Sequence, residues 1–168
     1  MSSPLSSDAL VVTIVVGAGL AAAVIDLNTR RVPNTLTGAV AIAGLLLALG
    51  GVGRVGAVAA FAGCVLGLLL MLPGHLFGAT GGGDVKLLAA FGTLLGPWET
   101  VTAFLITAMA GGILALVVAL HRGRLRRTLD ATVRIATGAP PKEEVEADRT
   151  FAYAPAIAIG AALAAIGV

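Results

Sequence analysis

The chain of 168 residues is 58% hydrophobic and only 12% charged, with a formal net charge of +2. Soluble domains usually carry about 25% charged residues, so this composition argues against a soluble bundle and favours a protein folded in lipid. The single cysteine, Cys64, excludes a disulfide framework and a cysteine-based zinc cluster, and the basic residues lie in separate loops rather than in a nucleic-acid-binding stripe. We therefore expect no metal, no cofactor and no nucleic-acid partner.

Successive apolar segments along the chain predict membrane-spanning helices. The six segments are Ala9 to Ile25, Leu36 to Gly50, Val55 to Leu72, Val85 to Leu95, Val101 to Leu120 and Phe151 to Val168. Most approach the roughly 20 residues that a transmembrane helix requires. The fourth would cover about half of a hydrocarbon core ~30 Å thick, so it should be a short or partly re-entrant helix shielded by its neighbours. We predict an all-α polytopic membrane protein of about six transmembrane helices, forming a single domain over residues 1–168.

The basic residues predict the orientation of these helices. Ten of the eleven Lys and Arg residues lie in connections that would share one membrane face: Arg30, Arg31, Lys86, Arg122, Arg124, Arg126, Arg127, Arg134, Lys142 and Arg149. Only Arg54 would lie on the other face. Because basic residues concentrate on the cytoplasmic side, both termini are predicted to be external. Trp98, at an outer turn, suits the interfacial zone where aromatic side chains settle.

The last connection, His121 to Thr150, is polar and joins a basic stretch to the acidic-rich segment Pro140-Pro141-Lys142-Glu143-Glu144. Two interpretations stay open. The basic stretch could form an amphipathic helix lying on anionic lipid, or the connection could be a solvated loop that only determines topology.

Asp26 ends the first apolar segment, where a carboxylate would meet the negative end of a helix dipole. That placement is unfavourable, and ionisable groups at membrane depth usually mark a functional site. The alternative is a helix-end carboxylate that pairs with Arg30 one turn later or reaches out to water.

Asp84 follows three glycines, Gly81, Gly82 and Gly83, and opens the fourth apolar segment. We expect these glycines to allow positive φ angles and the close approach of a peptide chain. The alternative is that Asp84 is a helix N-cap whose carboxylate accepts a backbone N–H. The other acidic residues are expected in tails or loops: Asp8, Glu99, Asp130, Glu143, Glu144, Glu146 and Asp148.

The number of predicted spans between Asp26 and Asp84 relates their positions in the membrane. Two predicted spans separate them, so both emerge on the same membrane face whatever the orientation. Two carboxylates a few ångströms apart share one proton, which leaves one base to activate water and one acid to protonate a peptide. This predicts an aspartic peptidase with Asp26 and Asp84 as its catalytic pair. The alternative from another class is a small transporter in which the two acids bind a cation or relay protons.

Two motifs resemble those of the prepilin peptidases, the type IV prepilin leader peptidase family of membrane aspartic proteases. In the first, an aspartate is followed seven residues later by the proline of an apolar-Pro-Asn step: Asp26-Leu27-Asn28-Thr29-Arg30-Arg31-Val32-Pro33-Asn34. The second matches the family's Gly-x-Gly-Asp-x-Lys pattern: Gly81-Gly82-Gly83-Asp84-Val85-Lys86-Leu87. The resemblance covers roughly Val11 to Gly167, and its last helix opens with Ala152-Tyr153-Ala154-Pro155-Ala156.

The resemblance implies that Asp26 and Asp84 are catalytic. It also implies that Gly81, Gly82, Gly83, Lys86, Pro33 and Asn34 support them or bind substrate. For Lys86 the alternative is an interfacial lysine that extends to water. Larger members resemble a fusion with a zinc-binding part carrying paired Cys-x-x-Cys motifs, and they methylate the new N-terminus. With one cysteine, this chain resembles the short peptidase-only form of Flp/Tad-type pili, and N-methylation is not expected.

The implied activity is removal of the short basic leader from a type IV or Flp-type prepilin in the bacterial or archaeal cytoplasmic membrane. The apolar helix of the precursor would dock between spans in the bilayer, with its leader at the cytoplasmic face near the aspartates. Docking in the bilayer would then orient the scissile bond. A non-catalytic scaffold of pilus assembly is a further alternative.

Overall fold

The computed structural model describes residues 4–78, 80–121, 137 and 153–167. The regular structure of these residues consists of six α-helices: α1 (Pro4–Thr29), α2 (Asn34–Leu49), α3 (Ala57–Leu76), α4 (Gly82–Leu95), α5 (Pro97–His121) and α6 (Ala154–Ile166). The predicted all-α fold is confirmed for these residues. Apart from His121 and Thr137, the polar connection with its two interpretations lies outside the described residues.

Prolines and glycines define the helix ends. Pro33, with φ −65°, precedes the first residue of α2, and Pro155 lies in the first turn of α6, where a missing N–H costs no helical hydrogen bond. Gly96 follows α4 with φ 82°, and Gly167 follows α6 with φ 88°. Such angles suit glycine, which has no Cβ to clash with the preceding carbonyl.

Several helices extend beyond their predicted limits, and in α3 and α5 the extension includes a proline. The third was predicted to end at Leu72, but α3 continues through Pro73 to Leu76, and the N–H of Phe77 donates to the carbonyl of Pro73 over 3.0 Å. Near a helix end, a proline disturbs only the last turn. The fifth was predicted to begin at Val101, but α5 begins at Pro97. Glu99 therefore lies in the first turn of a helix, near the positive end of its dipole, and not in a loop.

The helices approach one another through small residues. Gly63 and Gly67 lie one turn apart on α3 and face the backbone of Gly92 and Ala89 on α4. A Cβ on Gly67 would lie 2.9 Å from the Cα of Ala89, so even alanine would force the helices apart. On α6, Gly160 packs in the same way against Thr107 of α5. Close backbone contact of this kind is typical of helices that associate in lipid.

Helix α4 forms the centre of the bundle. Its side chains include the largest fully buried ones, Phe91, Leu87, Leu88, Leu94 and Leu95. Its 14 residues span about 21 Å at 1.5 Å per residue. The neighbouring helices α2, α3 and α5 contact it on several sides. The prediction of a short, shielded fourth helix is thus confirmed.

The surface of the bundle is apolar. Exposed large side chains include Leu20 of α1, Ile42 of α2, Phe61 of α3, Leu105 of α5 and Ile159 of α6. By length and composition, the segments Asp8–Thr29 and Ala57–Leu76 could each cross a membrane, and only 28% and 22% of their most apolar windows are buried in the bundle. Helices Asn34–Leu49 and Ala154–Ile166 are apolar but shorter. This outward-facing apolar surface indicates membrane association.

The two ends of the bundle differ in their polar residues. We call one the aspartate end: the last turn of α1, residues 30–34, and the first turns of α4 and α6. The other is the arginine end, formed by Asp8, Arg54, Gly96 and Ala165. There Nη1 of Arg54 donates to the carbonyl of Ala165 over 2.8 Å, and its Nε lies 3.3 Å from Oδ1 of Asp8. Asp8 was expected in a solvated tail, but it belongs to α1 and forms an ion pair.

Candidate active site

Asp26 lies in the last turn of α1 and is only 5% exposed. The helix continues to Thr29, and the N–H of Arg30 donates to the carbonyl of Asp26 over 2.8 Å, so this aspartate opens the last turn of the helix. Oδ2 of Asp26 accepts a hydrogen bond from the N–H of Ala154 over 3.2 Å. The first turn of α6 therefore holds a carboxylate that belongs to α1.

Asp84 is the third residue of α4 and is 6% exposed. Its Oδ2 accepts the N–H of Gly81 over 3.0 Å, while its own N–H donates to the carbonyl of Gly81 over 3.1 Å. The interpretation of Asp84 as an N-cap is therefore wrong, because Gly81 is the N-cap. The carboxylate closes back on that residue, as acidic side chains at this position often do. A carboxylate in the first turn also interacts favourably with the positive end of the helix dipole.

The structure brings the two aspartates to the same end of the bundle, where the count of predicted spans places them. Their charges interact electrostatically, and Asp84 interacts in the same way with Tyr153. The backbones meet as well, since a Cβ on Gly83 would lie 3.1 Å from the Cβ of Val32. The connection after Asp26 thus packs directly against the residue before Asp84.

A hydrogen bond joins the two sequence motifs. Nζ of Lys86, on α4, donates to Oδ1 of Asn34 on α2 over 3.0 Å. Both side chains are exposed. Pro33 precedes Asn34 in an extended conformation and sets the direction in which α2 leaves the site. The structure therefore places Lys86, Pro33 and Asn34 beside the aspartates.

The three glycines do not adopt the positive φ angles that we expected. Gly81 has φ −74° and ψ 150°, and Gly82 and Gly83 belong to the first turn of α4. In the described part of this connection, the positive φ belongs to Gly78, at 70°. Gly81 and Gly83 instead allow close packing, because a Cβ on Gly81 would lie 3.1 Å from Oδ2 of Asp84 and one on Gly83 would lie 3.1 Å from the Cβ of Val32. A Cβ on Gly82 would make only an ordinary contact with His75.

The sequence reasoning did not assign Tyr153 or the N–H of Ala154 to the site. Tyr153 is the only tyrosine in the chain and lies just before α6. The count of spans that places both aspartates on one membrane face also predicts that the last helix begins on that face. The sequence could therefore have pointed to Tyr153. His75 was missed as well; its Nδ1 lies 3.1 Å from the carbonyl oxygen of Thr80 and steadies the connection before Gly81.

The described parts of the chain contain no group of three or more His, Cys, Asp or Glu side chains that could hold a metal ion. The site contains two buried carboxylates, each of which accepts a hydrogen bond from a backbone N–H, and one tyrosine.

An apolar helical bundle with two buried carboxylates at one end is the arrangement expected of a membrane aspartic protease. Residues 13–116 match the type IV leader peptidase family, and this span is more than half of the chain. The protein therefore belongs to that family, and the resemblance seen in the two motifs is confirmed. The matched span contains both Asp26 and Asp84.

Similar proteins include the prepilin leader peptidase/N-methyltransferases of Burkholderia pseudomallei strains 1026b and K96243. Each is 37% identical to the chain over 115 residues, which is 64% of this chain and 36% of the relative. The alignment thus spans about a third of each relative's length. No solved structure shows a significant match to the chain.

Proposed function

We propose that the protein is a prepilin leader peptidase, a membrane-embedded aspartic endopeptidase that removes the short basic leader from type IV or Flp-type prepilins. The observation that carries the proposal is that buried Asp26 and Asp84 lie at the same end of an apolar bundle, where Gly83, the residue before Asp84, packs against Val32 in the connection after Asp26. Membership of the type IV leader peptidase family supports the substrate class.

In this mechanism the two carboxylates share one proton, because two adjacent negative charges in a buried site are costly. The ionised carboxylate takes a proton from water as the water oxygen attacks the scissile carbonyl carbon, and the protonated one gives its proton to the carbonyl oxygen. The first carboxyl group then gives the proton it took from water to the leaving nitrogen as the C–N bond breaks, and a hydroxyl of the tetrahedral intermediate returns a proton to the second carboxylate. The products are a leader with a new carboxylate and a mature segment with a new amine.

The backbone hydrogen bonds suit this chemistry. The N–H of Gly81 holds Oδ2 of Asp84, and the N–H of Ala154 holds Oδ2 of Asp26. We assign the reaction to Oδ1 of each carboxylate, the oxygen that does not accept these two hydrogen bonds. A fixed orientation of both groups removes part of the entropic cost of bringing acid, base and water together.

The apolar surface supports a prepilin precursor whose helix docks within the lipid bilayer, with its leader at the aspartate end. We place that end at the cytoplasmic face of the inner membrane. Arg30, Arg31 and Lys86 lie at this end, whereas Arg54 lies at the other. This distribution accords with the concentration of basic residues on the cytoplasmic side.

The test is mass measurement of a Flp-type prepilin after incubation with the purified protein in lipid. We expect the wild-type protein to release the leader and the Asp84→Ala variant to leave the precursor intact. The mature segment should be unmethylated, because the chain has one cysteine and no paired Cys-x-x-Cys motifs. An intact precursor with the wild-type protein would contradict the proposal. Equal cleavage by an Asp26→Ala/Asp84→Ala variant would remove both aspartates from the catalytic role.

A further inference from the structure

The first turn of α6 lies beside the two aspartates of the proposed function. The N–H of Ala154 donates to Oδ2 of Asp26 over 3.2 Å. Tyr153, the preceding residue, interacts with the charge of Asp84. Two neighbouring residues thus interact with the two carboxylates, Ala154 through its backbone N–H and Tyr153 through its side chain, although Asp26 belongs to α1 and Asp84 to α4.

The ring of Tyr153 rests on α5. A Cβ on Gly111 would overlap the hydroxyl oxygen, Cζ and Cε2 of this ring, so the ring lies directly on the glycine backbone. The carbonyl of Tyr153 accepts the N–H groups of Ala156 and Ile157 over 3.0 and 3.2 Å. The ring and the carbonyl together determine where the turn lies, and therefore where the N–H of Ala154 points.

We propose that Tyr153 is a positioning residue for the peptidase reaction: its ring, seated on Gly111, sets the first turn of α6 so that the N–H of Ala154 orients Asp26 toward Asp84. This inference rests on the proposed function. It assigns a role to Tyr153 that depends on the ring, since the ring makes the contact with Gly111. Phenylalanine would keep the ring carbons of that contact and remove only the hydroxyl oxygen.

Kinetics of prepilin cleavage in lipid give the first test. Replacing the ring in Tyr153→Ala should lower kcat by about 10²-fold, because a displacement of about 1 Å in a catalytic group has an effect of that size. KM should stay unchanged, because the proposed role acts on the orientation of Asp26 and not on the docking of the precursor. Tyr153→Phe keeps the ring and should restore kcat. A residue that only stabilises the fold would reduce the amount of folded protein and leave kcat per folded molecule unchanged.

Two neighbouring glycines provide a matched pair of variants. Gly111→Ala adds a Cβ against the ring, whereas Gly112→Ala adds one in open space with no atom within 4 Å. We expect Gly111→Ala to lower kcat and Gly112→Ala to leave it at the wild-type value. In the Gly111→Ala/Tyr153→Ala variant, kcat should be no lower than in Tyr153→Ala alone, because the two changes disturb one contact. Equal effects of the two glycine variants would overturn the proposal.

A measurement independent of activity separates this inference from the proposed function. In protein labelled with isotopic alanine and held in lipid nanodiscs, the Ala154 amide resonance is identified by its loss in Ala154→Ser. Replacing Asp26 by Ala should shift this resonance, and Tyr153→Ala should shift it in the same direction while Tyr153→Phe leaves it in place. An unmoved resonance in Tyr153→Ala would overturn the positioning role. A wild-type protein that leaves prepilin uncut would instead overturn the peptidase proposal, while the resonance still reports the hydrogen bond.

Discussion

Helix α1 carries an aspartate near each end of the bundle, and the two lie in opposite environments. Asp8 is half exposed and pairs with Arg54, 3.3 Å away. Asp26 is 5% exposed, accepts a backbone N–H and interacts with a second acid, Asp84. The residue type and the helix are the same, so the difference comes from the partners that other helices supply. An arginine pairs with one carboxylate, whereas a second carboxylate acts on the other, and in the proposed function this second carboxylate makes Asp26 reactive.

Helix α6 shows the same contrast. Its first N–H group holds Asp26, while the carbonyl of Ala165 near its last turn accepts a hydrogen bond from Arg54. In between, Gly19 of α1 packs against Ala158 of α6. Helices α1 and α6 are therefore joined at both ends. We interpret the arginine end as a structural clamp and the aspartate end as the reactive site.

The largest expected effect distinguishes the two aspartates of α1. Asp26→Asn removes a group that must exchange protons and should lower prepilin cleavage by about 10²- to 10⁴-fold. Asp8→Asn removes only an exposed ion pair and should leave cleavage intact. Cleavage rates in lipid, normalised to folded protein, provide the measurement. Similar rates for the two variants would remove Asp26 from the catalytic pair.

The second effect concerns the packing that delivers Asp84 to its end of the bundle. Gly63→Ala forces a Cβ against the backbone of Gly92, and overpacking of this kind destabilises by about 1–3 kcal/mol. Gly17→Ala is the matched control, because a Cβ on that α1 glycine meets no atom within 4 Å. Denaturant unfolding in micelles measures both free energies. A loss of stability in Gly17→Ala as large as in Gly63→Ala would contradict the packing argument.

The third effect is a loss of stability from changes at the arginine end, without a loss of catalytic activity. Arg54→Gln breaks the ion pair with Asp8 and the hydrogen bond to Ala165, and should destabilise by about 1–2 kcal/mol. Asp8→Asn breaks the ion pair alone and should cost about 0.2–1 kcal/mol. Unfolding and cleavage assays run side by side check both statements. Slower catalysis per folded Arg54→Gln molecule would show that the clamp also acts on the site.

The smallest effect tests the exposed hydrogen bond between the two motifs. Lys86→Met and Asn34→Ala should each reduce stability by about 0.5–1 kcal/mol, and their effects should be less than additive because they share one bond. A double-mutant cycle of unfolding free energies measures the coupling. Full additivity would instead favour the interpretation of Lys86 as a lysine that only extends to water.

Particular residues show how far the sequence could lead. The meeting of Asp26 and Asp84 follows from counting spans, and the short α4 follows from the length of its apolar segment. The conformation of Gly81, Gly82 and Gly83 could not be predicted, because a glycine run fits positive φ and tight packing equally well. What decides between them is the position of Val32, which lies in another segment and packs against Gly83. The extension of α3 past Pro73 was missed for a similar reason, because proline near a helix end can stop the helix or remain within it.

The apolar composition and the order of the segments by themselves determined an all-helical chain, since backbone groups in lipid must find their hydrogen bonds within helices. The two motifs also determined which acids are unusual and on which end they lie. Only the tertiary structure decided that α6 supplies the N–H for Asp26, that Tyr153 rests on Gly111, and that Arg54 joins Asp8 to Ala165. Such contacts depend on how helices rotate and approach, and those variables are set by packing between segments distant in the sequence.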